Sequence, residues 1–132
     1  MSEIITYYSK NHPNKHKMSD FTISYKEENR TCGDTVTVYL KIENDIITDW
    51  SFQGETSIIT TRVSSIFGES IIGMNINEIL TYDYEYIKSL LDEPISKKRE
   101  KRAVIGLLAT RNAIHEYLKD GEENDFYDLI PE

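Results

Sequence analysis

One thiol and one carboxylate stand two positions apart in Arg30-Thr31-Cys32-Gly33-Asp34, and Cys32 is the only cysteine of the chain. A thiolate is a nucleophile and a soft metal ligand, and a carboxylate is a hard ligand or a hydrogen-bond acceptor. The pair admits metal binding or sulfur chemistry, and it also admits neither. A lone cysteine beside a strand packs as a small inert hydrophobe, and aspartate after glycine caps turns. A second concentration of chemistry is Lys97-Lys98-Arg99-Glu100-Lys101-Arg102, a run that suits a solvated helix face or the binding of an acidic partner. His12 and His16 lie four apart, but Pro13 between them opposes a helical metal pair. His115 falls on the polar side of the last predicted helix and reads as ordinary surface. No His–Ser–Asp or Cys–His set, Gly-rich phosphate loop or carboxylate dyad stands out, so no enzyme activity is expected.

These residues need a scaffold, and the chain is long enough for one modest core. It has 132 residues, 39% of them hydrophobic and 29% charged, which is ordinary for a globular domain. A formal charge of -8 repels phosphate and argues against nucleic-acid binding. One cysteine cannot build an internal disulfide framework. The opening residues MSEIITYYSK lack a secretory pattern, and no window approaches a membrane span, so a cytoplasmic protein without membrane contact is expected.

Residues 3 to 10 suit a short helix ending near Pro13. Three strand signals follow. Phe21, Ile23 and Tyr25 alternate with Thr22 and Ser24, and Val36, Val38, Leu40 and Ile42 with Thr35, Thr37, Tyr39 and Lys41, while Ile46, Thr48, Trp50 and Phe52 alternate less cleanly with Ile47, Asp49 and Ser51. Glu43-Asn44-Asp45 is a polar joint that makes the second and third strands a hairpin. The period then becomes helical. Ile59, Val63, Ile66 and Phe67 form one stripe, with Thr56 or Ser57 as N-cap and Gly73 as the stop. Asn75 and Glu78 predict a short helix through Leu80, and Tyr84, Ile87, Leu90 and Leu91 another, closed by Pro94. The longest helix is predicted from about Ser96 to Lys119, ended by Gly121, with Val104, Leu107, Leu108, Ile114 and Leu118 inside. Trp50, Tyr39 and the Tyr82/Tyr84/Tyr86 group read as core and edge packing. The expected fold is α+β, a small three-stranded antiparallel sheet with helices packed on one face. Residues 1–121 form the single domain. Residues 122–132 are an acidic tail, loosely held unless Phe126, Tyr127, Leu129 and Ile130 dock it.

In this order the elements resemble the U-type iron–sulfur cluster scaffolds, the IscU, SufU and NifU N-terminal group. The likeness covers roughly residues 8 to 118. Asn29-Arg30-Thr31-Cys32-Gly33-Asp34 resembles the family's N-P-x-C-G-D. Asp45 to Asp49 and Phe52-Gln53-Gly54-Glu55 are similar to its "gDxIxDxxFxGxGC" stretch, and Val63-Ser64-Ser65 with Ile72-Gly73 fall at its "ASxS" and "KGK". Lys101 to Leu107 with Ala113 to Tyr117 fit its "(K/H)-C-S-x-L-G-L…A-I-x-x-Y" helix.

The resemblance implies an iron–sulfur cluster, or an iron or zinc ion, held by three cysteines and the aspartate, and a cysteine desulfurase or other assembly protein as partner. Cys32 and Asp34 retain two of those positions. Ser57 stands at the second cysteine position, Arg102 at the third, and Lys101 just before it. The chaperone-docking L-P-P-V-K is replaced by Glu93-Pro94-Ile95-Ser96-Lys97. A [2Fe–2S] cluster takes about four protein ligands, usually thiolates. A serine hydroxyl is a poor substitute, and a guanidinium repels iron and keeps its proton. One chain is therefore not expected to hold a conventional cluster, although two chains meeting at Cys32, or one with an external thiol, could share one. Arg102 is instead expected to pair with Asp34, bidentately where the fork allows. Cations and helix N-termini favour thiolates, so Cys32 is a candidate reactive thiol. Three roles stay open: divergent scaffold, cluster-free interaction module, and thiol or persulfide carrier.

Overall fold

The computed structural model describes residues 13–131. The helix expected over residues 3 to 10 and His12 lie outside the described residues. Strands β1 (Ile23–Asn29), β2 (Asp34–Glu43) and β3 (Ile46–Gln53) form one antiparallel sheet in the order β1-β2-β3. Helices α1 (Ile58–Ser70), α2 (Ile76–Ile79), α3 (Tyr84–Leu90), α4 (Glu100–Leu118) and α5 (Phe126–Leu129) follow, with a 3-10 turn over Lys97–Arg99 leading into α4. Among the described residues, no helix is long and apolar enough to cross a membrane.

Val36, Val38, Leu40 and Ile42 alternate along β2 and are all buried, as their period requires. The β2–β3 turn uses Asn44 and Asp45 at φ 53° and 61°. Two consecutive left-handed residues match the twist of a two-residue hairpin, and Asn and Asp tolerate that region. The β3 stripe differs from expectation. A bulge between Lys41 and Ile42 pairs Ile42 with Ile47 and Lys41 with Asp49, leaving Thr48 as the extra residue. Ile47 is therefore fully buried in place of Ile46, Thr48 is exposed, and Trp50 and Phe52 keep their inward positions. The first strand also starts later than its pattern implied. Phe21 lies before it, 39% exposed, with its ring 5.4 Å from that of Tyr39.

Both long helices cover the inner face of the sheet, and α4 contacts β1 and β2 while α1 lies against α4. Close approach is built in at Gly68, where an added Cβ would meet the Trp50 ring at 2.0 Å. Trp50 satisfies its indole N–H by donating to Thr110 Oγ1 at 3.0 Å, and Thr110 donates in turn to the Gly106 carbonyl. Tyr82 and Tyr86 stack at 3.8 Å, and the Tyr86 ring packs edge-on against Phe67. Helix α1 stops before Gly73, with Ile71 as its C-cap. Helix α4 ends on Lys119 in the left-handed region, not on Gly121, and Leu118 is 40% exposed, outside the inner stripe. After Gly121 the chain docks. Asp125 caps α5 through Tyr127 and Asp128 N–H groups, and Leu129 is completely buried in the shared core.

Candidate functional site

Asn29 organises the turn before β2. Its carbonyl accepts from the N–H groups of Cys32 (3.2 Å) and Gly33 (2.8 Å), and its side chain accepts from Thr31 N–H. Gly33 sits at φ 81°, a left-handed conformation that glycine reaches without a Cβ penalty. The turn brings Asp34, the first residue of β2, under the start of α1, where it is 4% exposed.

Asp34 is the hub. Its Oδ1 accepts from the Ser57 N–H at 2.7 Å. Its Oδ2 accepts from Thr60 Oγ1 at 2.6 Å, Cys32 Sγ at 3.1 Å and Ser57 Oγ at 3.4 Å. Arg102 Nε lies 3.8 Å from the same Oδ2. The structure thus places the sequence-predicted Cys32, Asp34, Ser57 and Arg102 around one carboxylate. The Arg102 contact is a single long ion pair, where a bidentate fork was expected. Burial pushes the Asp34 carboxyl upward, but Thr60, Cys32, the Ser57 N–H and the Arg102 charge together hold it below the ordinary carboxylate range. Contact with the neighbouring Cys32 sulfur, and then the Asp34 charge, raise the Arg102 guanidinium further. Cys32 itself is half-buried.

Lys101 goes elsewhere. Its Nζ lies 5.6 Å from the Phe126 ring and 5.8 Å from the Tyr127 ring. Thr60 was missed from sequence, although Ser57 as N-cap with Thr60 three residues on is the spacing that faces the cap. Ser57 Oγ and Thr60 Oγ1 are 2.9 Å apart, and Ser57 Oγ accepts the Thr60 N–H at 3.4 Å. Ser57→Ala is expected to cost about 1 kcal/mol as a lost helix cap, with Ser57→Thr restoring most of it. The urea midpoints of the two variants check this.

His115 is also unlike its expected surface position. It is 5% exposed, with Nδ1 2.7 Å from Asp120 Oδ2 and Nε2 3.0 Å from Asn124 Oδ1. Asn112 clasps the Asn124 backbone at both its N–H and its carbonyl. The chain returning past Gly121 buries the helix face that periodicity assigned to solvent. Both ring nitrogens are engaged, so the cluster ties the C-terminal segment to α4.

Comparisons with known proteins bear on the family and the fold. Residues 2–124 match the family described as NifU-like N terminal domain. The iron–sulfur cluster assembly scaffold protein IscU of Thermotoga maritima is 30% identical over 104 residues, spanning 79% of this chain and 73% of its own. The zinc-dependent sulfurtransferase SufU of Bacillus subtilis is 32% identical over 79 residues, 60% of this chain and 53% of SufU. Among solved structures, FiSufU of the SUF system from Fervidobacterium islandicum AW-1 superposes with a TM-score of 0.74 at 23% identity, covering 86% of this chain and 96% of that one. The N-terminal NifU-like protein of Brucella abortus gives 0.73 at 18% identity, covering 91% and 95%. The α+β fold, the order of its elements and these matches place the chain in the NifU-like N-terminal domain family, the iron–sulfur cluster assembly scaffold group of IscU and SufU.

Proposed function

We propose that this protein serves iron–sulfur cluster assembly as a cytoplasmic sulfur-receiving member of its family, acting through Cys32, and that one chain holds no conventional cluster. The observation that carries the reading is the engagement of Asp34: both of its oxygens already accept hydrogen bonds, and a guanidinium stands where a further ligand is needed. The donor set left for a metal is one thiol and one serine hydroxyl that caps a helix. Zinc takes four ligands in closed sites and three plus water in open ones, and a [2Fe–2S] cluster takes about four. The residues present do not fit either group.

They do fit sulfur transfer. A sulfane sulfur donor, with a cysteine desulfurase as the natural candidate, carries a terminal sulfur on a persulfide. Cys32 attacks that sulfur as thiolate. The Cys32 Sγ–S bond forms, the donor's S–S bond breaks, and its electron pair leaves on the donor thiolate. The Cys32 proton, which faces Asp34 Oδ2, passes to solvent, and Arg102 pairs the anion left behind. No net oxidation is required. The sulfurtransferase name of the Bacillus subtilis relative supports this class of chemistry.

Two measurements test the reading. Exposure to a low-molecular-weight persulfide should add one sulfur to the intact mass, absent in Cys32→Ala. Anaerobic incubation with ferrous iron and sulfide should leave the protein colourless. Stoichiometric iron and acid-labile sulfide that vanish in Cys32→Ala would restore the scaffold role and overturn the proposal. Desulfurase binding that survives Cys32→Ala, with no sulfur on the wild type, would favour an interaction module.

A further inference from the structure

We propose that a groove beside Cys32 docks an acidic, apolar-anchored peptide segment of a partner protein. The groove has a volume of about 680 Å³ and runs between the start of α4 and the end of α5. Lys97, Lys98 and Lys101 line it, with Phe126, Tyr127 and Ile130 as its apolar wall. None of the three lysines has a carboxylate within ion-pairing distance among the described residues. Glu100, the acid on the groove, interacts instead with Tyr84.

Charge chooses the occupant. The chain carries a formal charge of -8, yet this corner is a cationic run at a helix start that the macrodipole already makes positive. That arrangement is locally unfavourable until anions answer it, and the groove presents it to solvent. Apolar anchoring comes from Tyr127, 73% exposed, a residue type that dominates interface energetics when covered. A small-molecule site is a poorer match. Such sites orient their ligand with a few fixed polar groups, whereas Lys97 and Lys98 are exposed and Lys101 is only half-buried. An extended segment alternating acidic and apolar side chains meets both walls at once.

The aromatic wall lies beyond residue 124, where the family match ends. Thr31, which precedes Cys32 in the chain, also lines the groove and sets its rim one residue from the thiol. The proposal rests on the sulfur-receiving reading for its purpose, but its test does not use the thiol.

A random peptide library displayed on phage is selected against the immobilised full-length Cys32→Ala protein, with depletion on a Lys97→Glu/Lys98→Glu/Tyr127→Ala variant. The substituted side chains are exposed, so circular dichroism of the variant should match that of the parent. Selected sequences should combine Asp or Glu with apolar residues. A synthetic copy should bind roughly tenfold or more weakly to Lys97→Glu/Lys98→Glu and to Tyr127→Ala by fluorescence anisotropy, and more weakly in high salt. No enrichment, sequences without acidic residues, or affinity indifferent to these substitutions would overturn the proposal. So would displacement by tripolyphosphate at concentrations matching the peptide, the mark of a small-anion site. Because the selection uses Cys32→Ala, its failure leaves persulfide formation untouched, and failure of sulfur transfer leaves the selected peptides standing.

Discussion

Asp34→Ala is expected to lower the unfolding free energy by about 3 kcal/mol, although the residue contributes nothing to the apolar core. The loss comes from donors stranded in a buried place. The Ser57 N–H, the Thr60 hydroxyl and the Cys32 thiol all point at this carboxylate, which is 4% exposed. Each unsatisfied buried donor costs about 1–3 kcal/mol, reduced where a hydroxyl can rotate toward another acceptor. Thr60 has such an escape in Ser57 Oγ, but the Ser57 N–H at the first turn of α1 has none as short. Asp34→Asn should cost less, since its carbonyl oxygen can still accept from the Ser57 N–H while its amide faces donors.

The acid dependence follows from the direction of the shift. The carboxyl is held below its ordinary value in the folded state, so its contribution is present above the unfolded pKa of 3.8 and disappears as pH falls through the folded value. Urea denaturation at neutral pH should show the Asp34→Ala loss in full, and the gap should narrow toward the acid limit, where protonated Asp34, like Asn, still accepts from the Ser57 N–H. A variant within ~0.5 kcal/mol of wild type at pH 7 would mean that the hub holds nothing together.

The parts readable from sequence are those set by local rules. The β2 stripe survives intact because the bulge puts its extra residue, Thr48, on β3 and leaves the alternation of β2 unbroken. Ser57 was a cap candidate on spacing alone, and Cys32, Asp34 and Arg102 meet where the family's motif order put them. What failed depended on other segments. A bulge is one residue of slippage that no periodicity announces, and it exchanged Ile46 for Ile47. His115 looked solvated because its helix face is covered by residues 120 to 124, which return from beyond the helix end. The same return carries Phe126 and Tyr127 to Lys101, turning a charge run into one side of a groove.

Glu27 is the residue that strand parity makes conspicuous once the register is known. It pairs with Val36 across β1–β2, and so shares the inner, apolar face of the sheet. Burial pushes its carboxyl up to about 7, the nearby Glu123 charge adds to this, and Asn112, donating at 3.5 Å, offsets only part. Here the folded state holds a proton that the unfolded chain releases near pH 4.5. The stability tied to that proton is fully present below the unfolded pKa and is lost as pH rises through the folded value. The shift corresponds to at most about 3 kcal/mol, or about 2 kcal/mol after discounting for partial exposure. Glu27→Gln keeps an acceptor for Asn112 and cannot ionise, so it should be more stable than wild type by about 2 kcal/mol at pH 8 and nearly equal to it at pH 4.5. Urea midpoints of both proteins across this range read the difference directly, and parallel profiles would exclude Glu27 as its source. Glu123→Gln supplies the mechanism's second check. Removing that charge should move the wild-type decline to lower pH, because Glu123, which accepts from Tyr25 at 3.2 Å, brings its carboxylate toward Glu27 only while the C-terminal segment is docked.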